Sequence, residues 1–251
     1  MSSLIVIYGV PFSQPVRAVL WLMLYKQKPF EFVMVNPGSS SKGGSRHPDY
    51  LAKFPTGTIP SIENKETGFV LSESHAIMCY FCNKHGWHDL YPENNEARAK
   101  IDSYLHLHHR NLREASIGIV APKVRKDLNF TKEILIRYRF TVDKALQSLE
   151  DGWLKKSRYL AGDDLTIADM SAYAEIGQLQ SKFTNTYDFE PFPNIRRWLE
   201  DMGRVDYHDE VHTPLFELGD MSEEAPSIEK IIGANKKALS VIKQQIAEMN
   251  D

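Results

Sequence analysis

Cysteine is scarce, with two in 251 residues. Disulfides therefore cannot be the framework of this chain, and the usage suits a reducing compartment. Long hydrophobic runs are missing as well. The longest, from Ala18 to Tyr25, is eight residues, far short of the ~20 that span a bilayer. The opening MSSLIVIYG has no basic start and no extended apolar stretch, so no signal peptide is expected. Neither charge is in excess: 30 Lys and Arg against 33 Asp and Glu leave a net charge of −3. A nucleic-acid or membrane-surface binder would show a basic surplus or stripe, so neither partner is expected. A phosphate-cradling glycine loop and a serine-hydrolase elbow are also absent. What remains is ordinary globular usage, 42% hydrophobic and 25% charged, which excludes wholesale disorder. The length fits one large or two modest domains with a core that needs no staples. A cytoplasmic location is the expectation.

Residues 1–85 read as mixed α/β. A β-branched run at 4–8 is a short buried strand, followed by a turn-rich stretch at 9–15. An apolar helix at 16–26 is entered through Pro15, where no intrahelical N–H bond is lost. A second strand is expected at 30–35. Residues 36–46 hold three Gly, four Ser and a Pro, and are expected to form a mobile loop. A short helix at 50–54 precedes two strands, 58–63 and 69–71, joined by the polar turn 64–68. Ser72 is expected to cap a helix running to about His85. From about residue 95 the pattern is helical only. Ile101, Leu105, Leu112 and Ala115 predict one long helix, and Ile134 to Leu149 another. Thr166 and Asp169 form a capping box, with Leu165 and Met170 placed as its staple. A further helix fits 194–202. Ile228, Ile231, Ile232, Leu239, Ile242 and Ile246 give an amphipathic tail helix at 226–250. The expected organisation is a mixed four-stranded sheet with helices (1–85), a polar linker (86–95) and an all-helical domain (96–251).

Several strings stand in a fixed order: Tyr8, then Ser13-Gln14-Pro15-Val16-Arg17-Ala18-Val19, Pro29-Phe30-Glu31, Gly57-Thr58-Ile59-Pro60-Ser61-Ile62, and Leu71-Ser72-Glu73-Ser74-His75-Ala76-Ile77. Leu160-Ala161-Gly162-Asp163-Asp164-Leu165-Thr166-Ile167-Ala168-Asp169 follows in the helical half. Together they resemble the soluble glutathione transferases, and most of all their theta class, strongly over 4–85 and more weakly over about 95–205. The resemblance implies a thioredoxin-like first domain, glutathione as co-substrate, no metal, and a homodimer.

Each candidate residue has a plainer role to set beside the functional one. Ser13, between the first strand and helix, has the place of a capping serine. The resemblance makes its hydroxyl the donor to the glutathione thiolate. A free thiol has a pKa near ~8.5, so lowering it by about two units needs roughly 2.7 kcal/mol of preference for the anion. One charge-assisted hydrogen bond plus a helix terminus supplies most of that. Tyr8 is the rival donor, since other classes use a tyrosine here; otherwise it is a core aromatic. The intact Ser-Gln-Pro string favours Ser13.

Pro60 excludes a central-strand position for itself. The resemblance implies a cis Ile59-Pro60 bond and pairing of the Ile59 backbone with the cysteinyl unit of glutathione. Glu73 and Ser74 open a helix. By resemblance they hold the γ-glutamyl ammonium and carboxylate, the latter as helix N-termini hold anions. The glycyl carboxylate needs a cation from the loop after the second strand, where Lys42, Arg46 and His47, together with Lys53 just beyond, are candidates. Arg113 has the plainer role of a surface or interdomain arginine; the resemblance implies that it faces the electrophile site, for which Phe12 is a further candidate.

Cys79 and Cys82 form a CxxC, but mid-helix among apolar residues, where packing is the simpler role. His85, His88, His106, His108 and His109 lack converging metal spacing. The expected activity is conjugation of glutathione to small hydrophobic electrophiles such as alkyl halides, epoxides and activated alkenes. The second domain would wall the electrophile site and the tail helix would roof it. The alternatives are a non-catalytic ligand carrier or interaction module on the same fold, and a glutathione-dependent peroxidase.

Overall fold

The structure, a computed structural model, describes residues 4–125 and 127–249. β1 (Ile5–Gly9), α1 (Gln14–Tyr25) and β2 (Glu31–Met34) form a βαβ unit with β1 and β2 parallel. α2 (Pro48–Lys53) leads to the antiparallel pair β3 (Ser61–Asn64) and β4 (Val70–Ser72), and α3 (Ser74–His85) completes this half. The sheet order is β2-β1-β3-β4, with Ile7 between Phe32 and Ile62. The β3–β4 turn is built by Asn64, whose side-chain oxygen accepts from the N–H groups of Glu66 (3.0 Å) and Thr67 (3.3 Å). Gly68 then supplies the positive φ (+70°) that returns the chain.

The helical half contains α4 (Asn95–His108), α5 (Arg113–Ala115), which continues through a π-helical turn at Ser116–Val120 into α6 (Ala121–Val124), and α7 (Lys132–Ser148). α8 (Ile167–Ile176), α9 (Pro193–Met202), α10 (His208–Leu218) and α11 (Ile228–Glu248) follow. This is a thioredoxin-like domain packed on an all-helical one. No helix among the described residues is long and apolar enough to cross a membrane.

The seam between the halves is α1 against α8. Val16 to Leu24 of α1 are all buried, because the sheet lies on one side and α8 on the other. Trp21 is fully buried, and its indole donates to the Asp206 carbonyl at 2.9 Å. Truncating such a side chain to alanine costs about 3–5 kcal/mol. α8 is buried along its whole length. Asp169 fixes its start, accepting from the Thr166 N–H (3.0 Å) and hydroxyl (2.8 Å), the Leu160 N–H (2.9 Å) and the Trp198 indole (3.0 Å).

Several expectations need correction. Ser72 does not cap α3. It pairs in β4, its hydroxyl 2.7 Å from that of Ser61, and Glu73 takes the N-cap position. Ile101 to Ala115 is not one helix. The chain breaks after α4 in tight turns, where the Asn111 side chain accepts the Leu112 N–H at 2.6 Å. The 36–47 loop is pinned to itself: Asn36 bonds Gly43 and Ser45 through its backbone (both 3.0 Å), and the Ser45 hydroxyl accepts the Gly38 N–H (2.9 Å). α10 was not expected, because Pro214 lies inside it. Pro214 leaves the Glu210 carbonyl without its helical donor. The Thr213 hydroxyl donates to that carbonyl at 2.9 Å instead. The tail helix begins at Ile228, and residue 250 of its expected span lies outside the described residues.

Candidate active site

A cleft of about 340 Å³ opens where the β1–α1 loop, the β2–α2 loop, the chain before β3 and the α5–α6 stretch meet. Ser13 lines it from the N-cap of α1, and its side chain makes no capping bond. The neighbouring Pro15 has no N–H to offer in the first turn. The hydroxyl oxygen therefore accepts no bond from the helix, and the hydroxyl stands beside the helix's positive end facing the cleft.

Tyr8 is engaged elsewhere. Its hydroxyl donates to Glu63 Oε2 at 2.6 Å, and its ring packs against Phe54 and Tyr50. Burial, then the Glu63 carboxylate, raises its pKa. Tyr8 is not part of the cleft wall.

Ile59 lines the cleft and the Ile59–Pro60 peptide is cis, with Pro60 buried behind it. Gly57 sits beside it at φ +60°. A Cβ there would fall 2.9 Å from both Arg46 Nη1 and the Ser45 carbonyl, so only glycine lets these strands of chain approach. Of the four candidate cations, Arg46 alone lines the cleft. His47 caps α2, accepting the Asp49 N–H through Nδ1 at 3.3 Å. Lys53 is paired with Glu63 at 2.7 Å, and Lys42 is exposed away from the wall.

Glu73 and Ser74 stand at the start of α3 rather than on the cleft wall. Glu73 is exposed at φ +76°, an uncommon value for a residue with a side chain and one found at ligand sites. No side chain caps α3, so its first N–H groups have no side-chain acceptor. The Glu73 charge acts on His109 and Arg113, which places it on the cleft's flank.

Arg113 and Phe12 both line the cleft. The Arg113 guanidinium donates to Glu175 Oε1 at 2.6 Å and lies 3.5 Å from Gln14 Oε1. Glu175 is buried and also accepts from the Ser116 hydroxyl. Burial pushes the Glu175 carboxyl up, but Arg113 together with His108 and Ser116 outweighs it and holds the pKa down. The Phe12 N–H donates to Asn235 Oδ1 of α11 at 3.0 Å. None of α11 lines the cleft, so the tail braces the loop beneath instead of roofing it.

Sequence reasoning missed Arg125, which lines the far end and reaches back to within 3.5 Å of a Cβ built on Gly38. It also missed Asn235 and the Gln14–Gln178 bond (2.9 Å). No local motif marks these long-range partners. Burial raises the Cys79 pKa to about 11 and the Cys82 pKa to about 12, which leaves them protonated packing residues at neutral pH. Among the described residues no group of three or more His, Cys, Asp or Glu is placed to hold a metal ion. A larger depression of about 540 Å³ lies between Arg139, Tyr187 and Arg196, but its arginines are already paired with Asp143 and Glu190.

The cleft thus sets a hydroxyl at a helix N-terminus of the thioredoxin-like domain opposite an apolar helical wall. Comparison with known proteins identifies the family. The models named glutathione S-transferase, N-terminal domain and C-terminal domain match residues 7–94 and 95–204. Glutathione S-transferase theta-2 of Homo sapiens is 31% identical over 200 residues, 77% of each chain. Glutathione S-transferase T2 of Arabidopsis thaliana is 30% identical over 85% of this chain, which spans only 37% of that relative's length. The crystal structure of human theta-2 with glutathione and an unknown ligand superposes with a TM-score of 0.72 at 26% identity, covering 98% of this chain and 99% of that one. This chain therefore belongs to the glutathione S-transferase family. Within that family it is similar to the theta class.

Proposed function

We propose that this chain conjugates glutathione to small hydrophobic electrophiles such as alkyl halides, epoxides and activated alkenes. The observation that carries the reading is the Ser13 hydroxyl, on the cleft wall at the start of α1 with no capping bond. Its role is to donate to the thiolate and hold it as an anion. A bond of this kind plus the helix terminus matches the roughly 2.7 kcal/mol that a two-unit drop in thiol pKa requires. The Ile59 backbone pairs with the cysteinyl unit. Ser74, with the first N–H groups of α3, takes the γ-glutamyl carboxylate, and Glu73 lies near the ammonium. Arg46 is the cation for the glycyl carboxylate. The apolar wall of Ile117, Val120 and Val124 receives the electrophile beside Phe12 and Arg113. The thiolate attacks the electrophilic carbon and displaces the halide, opens the epoxide ring, or adds to the activated double bond with a proton taken up at the neighbouring carbon, both reactants being held in reach. The two domains divide this work: the first holds glutathione, and the helical one walls the electrophile. A homodimer, a cytoplasmic location and a detoxifying role accompany the reading.

The test is turnover on a panel of alkyl halides, epoxides, nitroaromatics and cumene hydroperoxide, with wild type, Ser13→Ala and Tyr8→Phe side by side. Loss in Ser13→Ala alone supports the assignment. Loss in Tyr8→Phe alone overturns it. Glutathione binding without turnover on any substrate moves the assignment to a ligand carrier, and turnover of the hydroperoxide alone to a peroxidase.

A further inference from the structure

Arg17 is a fully buried arginine one turn into α1, and its N–H bonds the Ser13 carbonyl at 2.9 Å. Its guanidinium donates to the Phe12 carbonyl and to the Ala174 carbonyl of α8 (2.8 Å), while Nε has no partner. No carboxylate among the described residues lies within ion-pairing distance of it. Such a charge is costly: apolar residues of similar volume commonly replace buried charges with no loss of stability or with a gain. The charged groups that face Arg17 are Glu175 and Tyr173 of α8, Arg113 of α5 and His212 of α10. His212 is held neutral, chiefly by burial, and Tyr173 is raised by burial. Arg113 has Glu175 as its ion-pair partner, with Glu73 and Glu114 also acting on it, whereas Arg17 has no ion-pair partner among the described residues. Burial lowers the Arg17 pKa to about 9, which leaves it protonated at neutral pH.

Resting on the reading of the cleft as a glutathione site, we propose that Arg17 is a positioning residue whose unneutralised charge is balanced by the bound thiolate. It holds the Phe12 carbonyl so that the Ser13 hydroxyl faces the cleft. Its own charge, which lacks an ion-pair partner, is one that an anion in the cleft, and not a thiol, relieves.

The readout is the pKa of enzyme-bound glutathione, followed by thiolate ultraviolet absorbance against pH in the full chain. Arg17→Met raises it by about one unit. Glu175→Gln, which removes the opposing charge, lowers it. Arg17→Lys keeps it near wild type even where turnover falls. A purely structural role predicts no such opposite signs, so shifts in the same direction, or none in folded Arg17→Met, overturn the proposal. Should Arg17→Met fail to fold, Arg17→Gln, which keeps a donor for the Phe12 carbonyl without the charge, decides: it too raises the pKa of the bound thiol. A bound thiol indistinguishable from free in Ser13→Ala refutes the charge effect. Unchanged turnover and pKa in Ser13→Ala instead refute the serine assignment, and absence of glutathione binding to wild type removes both.

Discussion

Phe12, Ser13 and Gln14 are gripped from the helical half. Asn235 takes the Phe12 N–H, Gln178 bonds the Gln14 side chain, and Arg17 ties the Phe12 carbonyl to α8. Across the cleft, the 36–47 loop bonds mainly to itself, through Asn36, Ser39, Gly44 and Ser45. The first region is cross-domain and buried; the second is local and mostly exposed. In the proposed roles, a group that sets a thiol's pKa must be placed within fractions of an ångström, and packing holds it there. A group that only meets a carboxylate on a flexible tripeptide end tolerates a loop that closes on itself.

The sharpest break of this comparison is Ser13→Ala. It lowers kcat/KM for conjugation by about 10²–10³-fold, the usual cost of one donor to a developing or bound anion. Its thermal midpoint stays at the wild-type value, because the hydroxyl makes no capping bond. A large drop in the midpoint would show instead that Ser13 serves the fold.

Acid should loosen the seam before it touches the loop. His75 lies between α3 and α8, with Nε2 2.6 Å from the Ser171 hydroxyl. Burial, then the charges of His108 and His109, lower its pKa to about 2. The unfolded chain therefore binds this proton first. The stability is complete above about pH 6.5 and falls by about 1.4 kcal/mol per pH unit below it. Urea unfolding at pH 7.5, 6 and 5 measures that slope, and His75→Gln makes it shallower. An unchanged slope would remove His75 from the account.

Asn235→Ala removes one bond to the Phe12 amide. It lowers kcat by up to about tenfold, the equivalent of a single hydrogen bond of roughly 1 kcal/mol. Electrophile preference stays constant, because α11 does not line the cleft. A changed preference would restore the tail as a roof.

The loop carries an effect on glutathione binding alone. Arg46→Ala raises the KM for glutathione by a factor of about ten, as loss of one charged hydrogen bond predicts, and leaves kcat near wild type. Lys42→Ala and Lys53→Ala leave KM unchanged. A rise in KM for either lysine, with none for Arg46→Ala, would reverse the assignment.

The first half was readable because its signals are local. Short β-branched runs, Pro15, the Asn64–Gly68 turn and Gly86 (φ +65°) after α3 each act within a few residues. The second half kept its periodicity but hid its interruptions. Pro214 masked α10, and the break after α4 depends on an Asn111 side chain that periodicity does not register. Of the residues tied to a motif, Ser13 and Ile59 lie on the cleft wall, while Glu73 and Ser74 lie at the start of α3, off it. Residues that act through partners could not be singled out from the sequence. Arg17 reads as one more charge in a helix until Ala174 and Phe12 are seen to enclose it, and Arg46 separates from Lys42 and His47 only when the loop has folded.

The bond between Phe12 and Asn235 joins residues 223 positions apart. A ribosome makes the first of these 223 residues before the second. Through that interval the thioredoxin-like half can be complete in outline while the β1–α1 loop still lacks one anchor. A chain released early, short of α11, would carry every motif of the first domain and still present its serine from a loop less firmly fixed. The grip on the β1–α1 loop is therefore complete only once Asn235 has been made.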